Sequence, residues 1–475
     1  MLGITTTNAR VGGFRGGISA EAKTIYNRII ADGGVSNLTR LNFFVKGLKA
    51  IYGDLANVPV CYDAHWIGYK LGSGTGATAG QAAAKLYSLT VAGDAVQATA
   101  ASQPLLLAHN GASSDNYWYG SGVSGNFVIT PNAAANQITG DIEIIVKVDI
   151  TTDATNQCFV SKYLSFSQFL FRKNSSNFLQ LIASKTSGAE DINATSTVAI
   201  TSGLKWYKLT RNATNGEVKF YSSTDGTTYT QLGATVTATS GNMVNGTDPI
   251  NVGVFSTTGN PILGKIYNLT LSNTIGGTPV VNFNPAQYNA STSQTAWTSA
   301  TGEVWTINTG TATTGYKGVL VDRTIVMSDG VDDRLFSSAV TVNQPDTIYV
   351  ANKLFDLSGN NYIFDGDGLN RQAMFANQTI FANLSLNTAA SVGTSIHLTT
   401  GVVNGLTSTI DVNNVLSVTG ATGTNNLGGL YLFSRQSGTF GMTSVRTFII
   451  SNSADNSTVR TATYNLIRSL NNNAF

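Results

Sequence analysis

The chain has 475 residues, only 11% of them charged, and a formal net charge of +2. The sequence has no Lys/Arg-rich run of the kind that binds nucleic-acid phosphates, which argues against a nucleic-acid-binding role. It also has no apolar run of about 18 residues, which excludes a membrane-spanning helix. Thr, Ser, Asn and 49 glycines supply the polar share, which is typical of all-β extracellular or virion proteins whose strands are joined by Gly/Asn/Asp turns.

The chain begins with a Gly-rich arm, residues 1–17, whose charged side chains are Arg10 and Arg15. We expect this arm to order against a partner, with a frayed terminus as the alternative. It lacks the apolar segment of a secretory signal. An extracellular composition without an export signal predicts a virion protein that is made in the host cytoplasm and released by lysis.

Residues 18–104 predict a small α-rich module. Ser19 caps a helix that ends at Gly33-Gly34, with Ile25 and Ile29 on its apolar stripe, and a second helix spans roughly Asn37 to Tyr52. We expect this module to dock on the sandwich behind it or on another subunit. The residues expected to anchor the chain to a virion are Arg10, Phe14, Arg15, Ile25 and Ile29.

From about residue 105 the hydrophobic period changes to two, and strands recur at intervals of roughly 10 residues, which favours a sandwich over residues 105–290. Its strongest local signal is Gly203–Gly233, which predicts three strands joined by turns at Asn215-Gly216 and Asp225-Gly226. Trp206 and Tyr229 are expected to be core residues or cross-strand pairs, so this stretch is interpreted as scaffold.

Residues 291–317 are rich in Ser, Thr and Gly and predict a linker. Trp297 and Trp305 are expected to pack between the two units that it joins. Residues 318–475 repeat the order of features of the first unit. Phe255 matches Phe433, a separation of 433 − 255 = 178, and Asn273 matches Asn452, a separation of 452 − 273 = 179. These near-equal separations favour a duplicated domain over one large barrel.

Three motifs carry a resemblance: GVDDRLF (330–336), the Gly203–Gly233 stretch, and VGVFS followed by a G-x-I-x-x-L-x-L strand. Together they resemble concanavalin A-like, laminin-G-like jelly-roll domains, in particular those of bacteriophage structural proteins. The segments 85–111 and 280–310 also resemble parts of phage virion proteins. The resemblance implies a mainly β fold: two tandem jelly-roll sandwiches preceded by the α-rich module.

The carboxylates are the first candidates for catalytic residues. A glycosidase on this fold needs two carboxylates about 5–10 Å apart, usually on one strand. Glu143, Glu217 and Glu303 are isolated in sequence, and three scattered histidines give no Ser-His-Asp arrangement. The sequence therefore predicts a non-enzymatic protein without an obligatory cofactor.

Two groups of aspartates are candidate Ca²⁺ ligands: Asp329, Asp332 and Asp333, and, in the sequence FDGDGLN, Asp365 and Asp367. Hard cations take several oxygens from Gly-containing loops, and laminin-G-like relatives carry such an ion at their rim. The alternative is that Asp-Gly pairs only form tight turns.

A sugar site is predicted at Tyr117, Trp118 and Tyr119, in the sequence SSDNYWYGSG. Lectin sites combine aromatic stacking faces with Asn and Asp hydrogen bonders, and alternation would place Tyr117 and Tyr119 outward and Trp118 inward. Packing at the joint between domains is the alternative interpretation.

The favoured function is a structural protein of a phage particle surface, as a head-fibre, decoration or tail-fibre component. Its expected partners are capsid or tail proteins, further copies of itself, and host surface glycans, without nucleic-acid binding or membrane insertion. A carbohydrate-binding receptor-recognition lectin or adhesin is the alternative. A glycan hydrolase is the third hypothesis.

Overall fold

The computed structural model describes residues 17–72, 80–164, 168–187, 189–312, 315–355, 361–368, 371–375, 379–386 and 393–475. The predicted anchor residues Arg10, Phe14 and Arg15 lie outside these ranges. The described chain is mainly β, with β-sandwiches and helices, so the predicted fold class is confirmed.

The described helices are α1 (Ala20–Ala31), α2 (Leu38–Tyr52) and α3 (Ser457–Leu470). Ser19 Oγ accepts a hydrogen bond from the Ala22 N–H at 3.2 Å, and Asn37 caps α2 in the same way. These side chains satisfy amide groups that have no partner inside the helix, which is why both predicted helices begin there. The sequence did not predict α3. None of the described helices is long and apolar enough to cross a membrane.

Five strands follow α2: β1 (Val60–Tyr62), β2 (Tyr69–Leu71), β3 (Gln81–Leu86), β4 (Ala95–Val96) and β5 (Leu105–Leu107). They do not form a sheet of their own. β1 pairs with a strand near the C-terminus, with Cys61 opposite Ile449.

The first sandwich contains β6 (Tyr117–Ser121), β7 (Phe127–Thr130), β8 (Ile142–Ile150), β9 (Gln157–Lys162), β10 (Phe169–Lys173), β11 (Phe178–Ala183), β12 (Ile192–Ala199), β13 (Gly203–Arg211), β14 (Glu217–Ser223), β15 (Thr230–Gln231), β16 (Val236–Thr237), β17 (Ile250–Val252), β18 (Leu263–Ser272), β19 (Val281–Phe283), β20 (Ala296–Thr298), β21 (Val304–Asn308) and β22 (Val319–Val321). One sheet has the order β12-β11-β10-β9-β17-β7-β21-β20. The other, the nine-stranded sheet, has the order β15-β14-β13-β8-β18-β6-β22, with β16 on β14 and β19 on β18.

The second sandwich adds β23 (Ile325–Met327), β24 (Leu335–Val342), β25 (Asp346–Leu354), β26 (Tyr362–Asp365), β27 (Ala373–Phe375), β28 (Thr379–Phe381), β29 (Ser385–Leu386), β30 (Ile396–Val403), β31 (Ser408–Val412), β32 (Val415–Gly420), β33 (Leu427–Leu432) and β34 (Thr443–Ser451). One layer runs β2-β3-β4-β24-β33-β26-β27-β28-β29. The other, called the β25 sheet, runs β32-β31-β30-β25-β34 and continues through β1 and β23 to β5 and β3.

These pairings differ from the predicted domain boundaries. Residues 291–317 are not a linker, because β20 and β21 extend the first sandwich, where Trp305 is fully buried and packs edge-on against Phe283 at 5.2 Å. Residues 18–104 are not a separate module, because β1–β5 complete the second sandwich. Ser- and Thr-rich strands resemble loops in their sequence because they lack the usual alternation of apolar and polar residues.

The two sandwiches share a strand order. The series β15-β14-β13-β8-β18 in the first corresponds to β32-β31-β30-β25-β34 in the second, with every neighbouring pair antiparallel. In this correspondence β34 takes the place of β18, as the sequence pattern indicated. The counterpart of β13 is β30. The hairpin Thr407–Gly420, which contains β31 and β32, corresponds to β14 and β15.

The helices lie on the outer face of the β25 sheet. Ile29 is fully buried and Ile25 is 6% exposed, in one cluster with Tyr349, Leu398 and Ile449 of that sheet. The prediction that Ile25 and Ile29 contact a virion partner is therefore wrong, because this chain's own sheet covers them.

A buried ion pair links four separate segments of the chain. Arg323 Nη2 donates to Asp63 Oδ1 and Oδ2 at 2.6 and 2.7 Å, and Nη1 donates to the Leu470 carbonyl at the end of α3 at 2.8 Å. The Thr447 hydroxyl of β34 donates to Asp63 Oδ2 at 2.7 Å. Since Arg323 and Asp63 are each 1% exposed, each charge depends on the other for solvation.

We expect Arg323→Met to lower the free energy of unfolding by about 3–5 kcal/mol, because it leaves the Asp63 carboxylate buried and unpaired. Chemical denaturation measures this loss. The matched control is Lys219→Met, which breaks a half-exposed pair with Glu217 and should cost less than about 1 kcal/mol. Equal effects of the two substitutions would contradict the proposed role of the buried pair.

Candidate functional site

The predicted aromatic sugar site is buried. Trp118 is fully buried in the core of the first sandwich. Tyr117 and Tyr119 point the other way, as alternation predicts, but each is 1% exposed in a cluster with Leu105 and Met327 between the sandwiches. The prediction of a sugar-stacking surface at these three rings is therefore wrong, because packing between the sandwiches encloses them.

The structure brings three of the predicted metal ligands together. Carboxylate oxygens of Asp329, Asp332 and Asp333 lie within 4.8 Å of one another, and they form the one such group among the described residues. Asp365 lies apart from them in β26, fully buried and paired with Arg371 at 2.8 Å. Asp367 hydrogen-bonds to Gln436.

Asp333 is the buried member of this acidic group, at 1% exposed. Its Oδ2 accepts hydrogen bonds from the Tyr316 hydroxyl at 2.9 Å and the Asp329 N–H at 3.0 Å. Burial, and then the charge of Asp329, raises the pKa of Asp333 to about 8. Three carboxylates are part of the oxygen set that Ca²⁺ uses, and a cation here would act against this shift by stabilising the ionised form.

The raised pKa makes stability depend on pH. Between its ordinary value near 4 and about 8, Asp333 keeps its proton in the folded state and loses it in the unfolded state, so stability falls as pH rises through this window. We expect Asp333→Asn to remove this pH-dependent loss of stability. The melting temperature of the variant should therefore exceed that of the parent protein at pH 8.5 but not at pH 4.

Melting curves at both pH values, with and without CaCl2, measure this effect. If the acidic group binds Ca²⁺, calcium raises the melting temperature of the parent protein at pH 8.5 and leaves Asp333→Asn unchanged. A parent protein with the same pH profile as Asp333→Asn would contradict the buried proton.

The carboxylates considered for catalysis make local contacts. Glu217 pairs with Lys219 at 3.3 Å, Glu143 accepts a hydrogen bond from the Gly276 N–H at 3.3 Å, and Glu303 accepts one from the Thr301 hydroxyl at 2.5 Å. These contacts hold the carboxylates to neighbouring turns and strands.

The outer face of the nine-stranded sheet carries lysines between aromatic rings. Lys208 Nζ lies 4.7 Å from the ring centre of Tyr221 and 4.5 Å from that of Tyr229. On the next strand, Lys147 Nζ lies 5.6 Å from Trp206 and 5.0 Å from Tyr267. All six side chains are half-buried, and we call them the Lys–aromatic face.

Strand geometry places these residues together. Tyr207 and Leu209 of β13 point into the core, so Trp206 and Lys208 point outward. Trp206 lies opposite Lys147 of β8, and Lys208 lies opposite Tyr221 of β14. The Asp225-Gly226 turn closes over the indole, where a Cβ on Gly226 would lie 2.6 Å from a ring carbon of Trp206. Glycine is thus required both for its φ of +76° and for this close approach.

Neither Lys147 nor Lys208 forms an ion pair with a carboxylate in the described part of the chain. The face therefore combines aromatic surface with two lysines that form no direct ion pair, and Glu143 and Asp149 of β8 lie on the same side of the sheet. Sequence reasoning treated Trp206 and Tyr229 as packing residues. The alternation of Trp206, Lys208 and Thr210 was visible, but the sequence could not show which part of this sheet the second sandwich covers.

No protein-family model matches the sequence, and no curated protein matches it. Among solved structures, the chain is similar to the LG1–3 region of the laminin α2 chain (10% identity, 71% of this chain and 62% of that chain, TM-score 0.30). It is also similar to domains LG4–5 of mouse laminin α1 (9% identity, 74% and 93%, TM-score 0.29). A third similar structure is a putative carbohydrate binding protein from Bacteroides ovatus (15% identity, 40% and 59%, TM-score 0.27). The chain thus spans less than two thirds of the laminin α2 region.

Proposed function

We propose that this protein is a non-enzymatic carbohydrate-binding protein that takes acidic glycans on the Lys–aromatic face. The observation that carries the proposal is the packing of Lys147 and Lys208, which form no direct ion pair, against half-buried aromatic rings on the outer side of β8, β13 and β14. This places the site at Trp206 and Lys208, in the stretch first interpreted as scaffold.

The chemistry of the face favours a sugar with a negative group. Aromatic rings offer apolar surface to the C–H faces of a pyranose, and they bury area at low cost in side-chain entropy. A lysine ammonium is a compact charge that binds a carboxylate or a sulfate. Because Lys147 and Lys208 already lie against rings, little ordering of their side chains remains on binding.

The second sandwich provides an internal comparison. Its β25 sheet corresponds to the β13-β8-β18 region of the nine-stranded sheet, but there the outer positions Tyr349 and Ala351 are apolar and helices cover them. None of the described helices packs against the equivalent part of the nine-stranded sheet, where the aromatic rings and lysines lie.

We expect Trp206→Ala to weaken binding of an acidic oligosaccharide by about 10-fold or more, which corresponds to about 1.4 kcal/mol. Lys208→Gln should weaken the binding of acidic glycans and leave the binding of neutral glycans unchanged. A glycan array identifies the ligand, and titration calorimetry gives the affinities.

Two matched controls accompany these variants. Tyr431→Ala removes a half-buried ring of a stacked pair in the second sandwich, and Lys23→Gln removes an exposed charge on α1. Melting curves show whether Trp206→Ala remains folded. An array without any signal, or folded variants that bind like the parent protein, would refute the proposal.

A second proposal concerns where the protein acts. We propose, from the sequence resemblance, that it is displayed on a bacteriophage particle, where glycan binding would serve host recognition. The observation behind this setting is the resemblance of residues 85–111 and 280–310 to segments of phage virion proteins. Mass spectrometry of purified particles that identifies the chain and its copy number tests it, and particles that lack the chain would overturn it.

A further inference from the structure

A small cavity lies where the two sandwiches meet, away from the Lys–aromatic face. Its volume is about 20 Å³, enough for one or two water-sized species. From the first sandwich it is lined by Tyr288, Gln294 and Leu320, and from the second by Lys353, Ser444 and Arg446. A sugar or a nucleotide is too large for this space.

Strand register aligns the polar groups of the second sandwich. Lys353 of β25 lies directly opposite Ser444 of β34, and Arg446 follows two residues further along β34. The three side chains therefore converge on the cavity from two neighbouring strands.

The charges around the cavity do not balance. Arg323 is matched by Asp63, and Arg446 Nη2 is matched by Asp322 Oδ1 at 3.0 Å. Lys353 forms no ion pair with any carboxylate in the described ranges, and its Nζ lies 5.6 Å from the ring centre of Phe355. Among the described residues, one positive charge therefore remains at the junction without a paired carboxylate.

Arg446 adds an unused donor. The residue is 5% exposed, and its Nη1 is buried without a hydrogen-bond partner among the described residues. A buried N–H without an acceptor is costly, and native structures rarely leave one in that state. The Ser444 hydroxyl also makes no hydrogen bond to a described group.

Burial, and then the charge of Arg446, lowers the pKa of Lys353 to about 8. The ammonium is thus poorly solvated by its surroundings. A bound negative charge would supply the missing solvation and favour the charged form.

We propose that this cavity binds a small inorganic anion, chloride, between Lys353 Nζ, Arg446 Nη1 and the Ser444 hydroxyl. All three groups donate hydrogen bonds, and a monatomic anion accepts from several directions at once within the available volume. The ion would bridge β25 and β34 on the side of these strands that faces the first sandwich. This inference does not depend on glycan binding.

The test compares chloride with gluconate at constant ionic strength. We expect the melting temperature of the parent protein to rise saturably as chloride replaces gluconate, because an ion that binds only the folded state stabilises it by mass action. Lys353→Met, of similar length and without charge, should abolish the chloride response. Lys23→Met, which removes an exposed charge on α1, should keep it.

A direct measurement covers the case in which Lys353→Met fails to fold. Crystals of the parent protein soaked in bromide should show an anomalous peak within hydrogen-bonding distance of Lys353 Nζ and Arg446 Nη1. A melting temperature that follows ionic strength alone, a chloride response retained in Lys353→Met, or water in place of bromide in the cavity would each overturn the proposal.

Discussion

The buried pair between Asp63 and Arg323 is the contact on which the arrangement of the chain depends. It joins the segment after β1, the crossing from the first sandwich to the second, strand β34, and the end of α3. Asp63 Oδ1 also accepts hydrogen bonds from the backbone N–H groups of His65 and Trp66, at 2.9 and 3.0 Å. Because buried charges tolerate little displacement, this pair fixes the position of all four segments at once.

The duplicated strand order shows two solutions to one physical problem. A sheet has two faces, and an outer face with large apolar residues must be covered. The β25 sheet has Tyr349 and Ile449 on its outer face and is covered by helices. On the nine-stranded sheet, β8 and β13 carry Lys147 and Lys208 on this face and no described helix covers them, whereas the second sandwich covers Tyr117 and Tyr119 of β6.

Sequence reasoning succeeded where the signal is local. Ser19 and Asn37 marked the helix starts, and the turns at Gly216 and Gly226 marked the hairpins, because capping and positive φ act over a few residues. It failed where the structure depends on contacts between residues that are far apart in sequence. No local pattern shows that Cys61 pairs opposite Ile449, or that the outer side of Tyr117 meets a second sandwich.

The candidate sites follow the same division. The acidic group at Asp329, Asp332 and Asp333 was predictable because its members are neighbours in sequence. The Lys–aromatic face draws on β8, β13, β14 and β18, so it exists only after these strands pair in register. Trp206 and Lys208 were visible as an alternating run, but their exposure depends on which elements cover the sheet.

The pairing of β1 with β34 has a consequence for how the protein is made. All strands of the first sandwich lie between Tyr117 and Val321, so they can pair as soon as that part of the chain leaves the ribosome, and Ile396 and Ala474 join its core later. Strand β1 emerges earlier but must wait for β34, whereas β2, β4 and β5 can each pair with β3 at once. The first sandwich therefore folds as an insertion within an unfinished second one and shortens the loop that the second must close. During that interval β1, whose three residues are buried in the finished protein, lacks its partner strand.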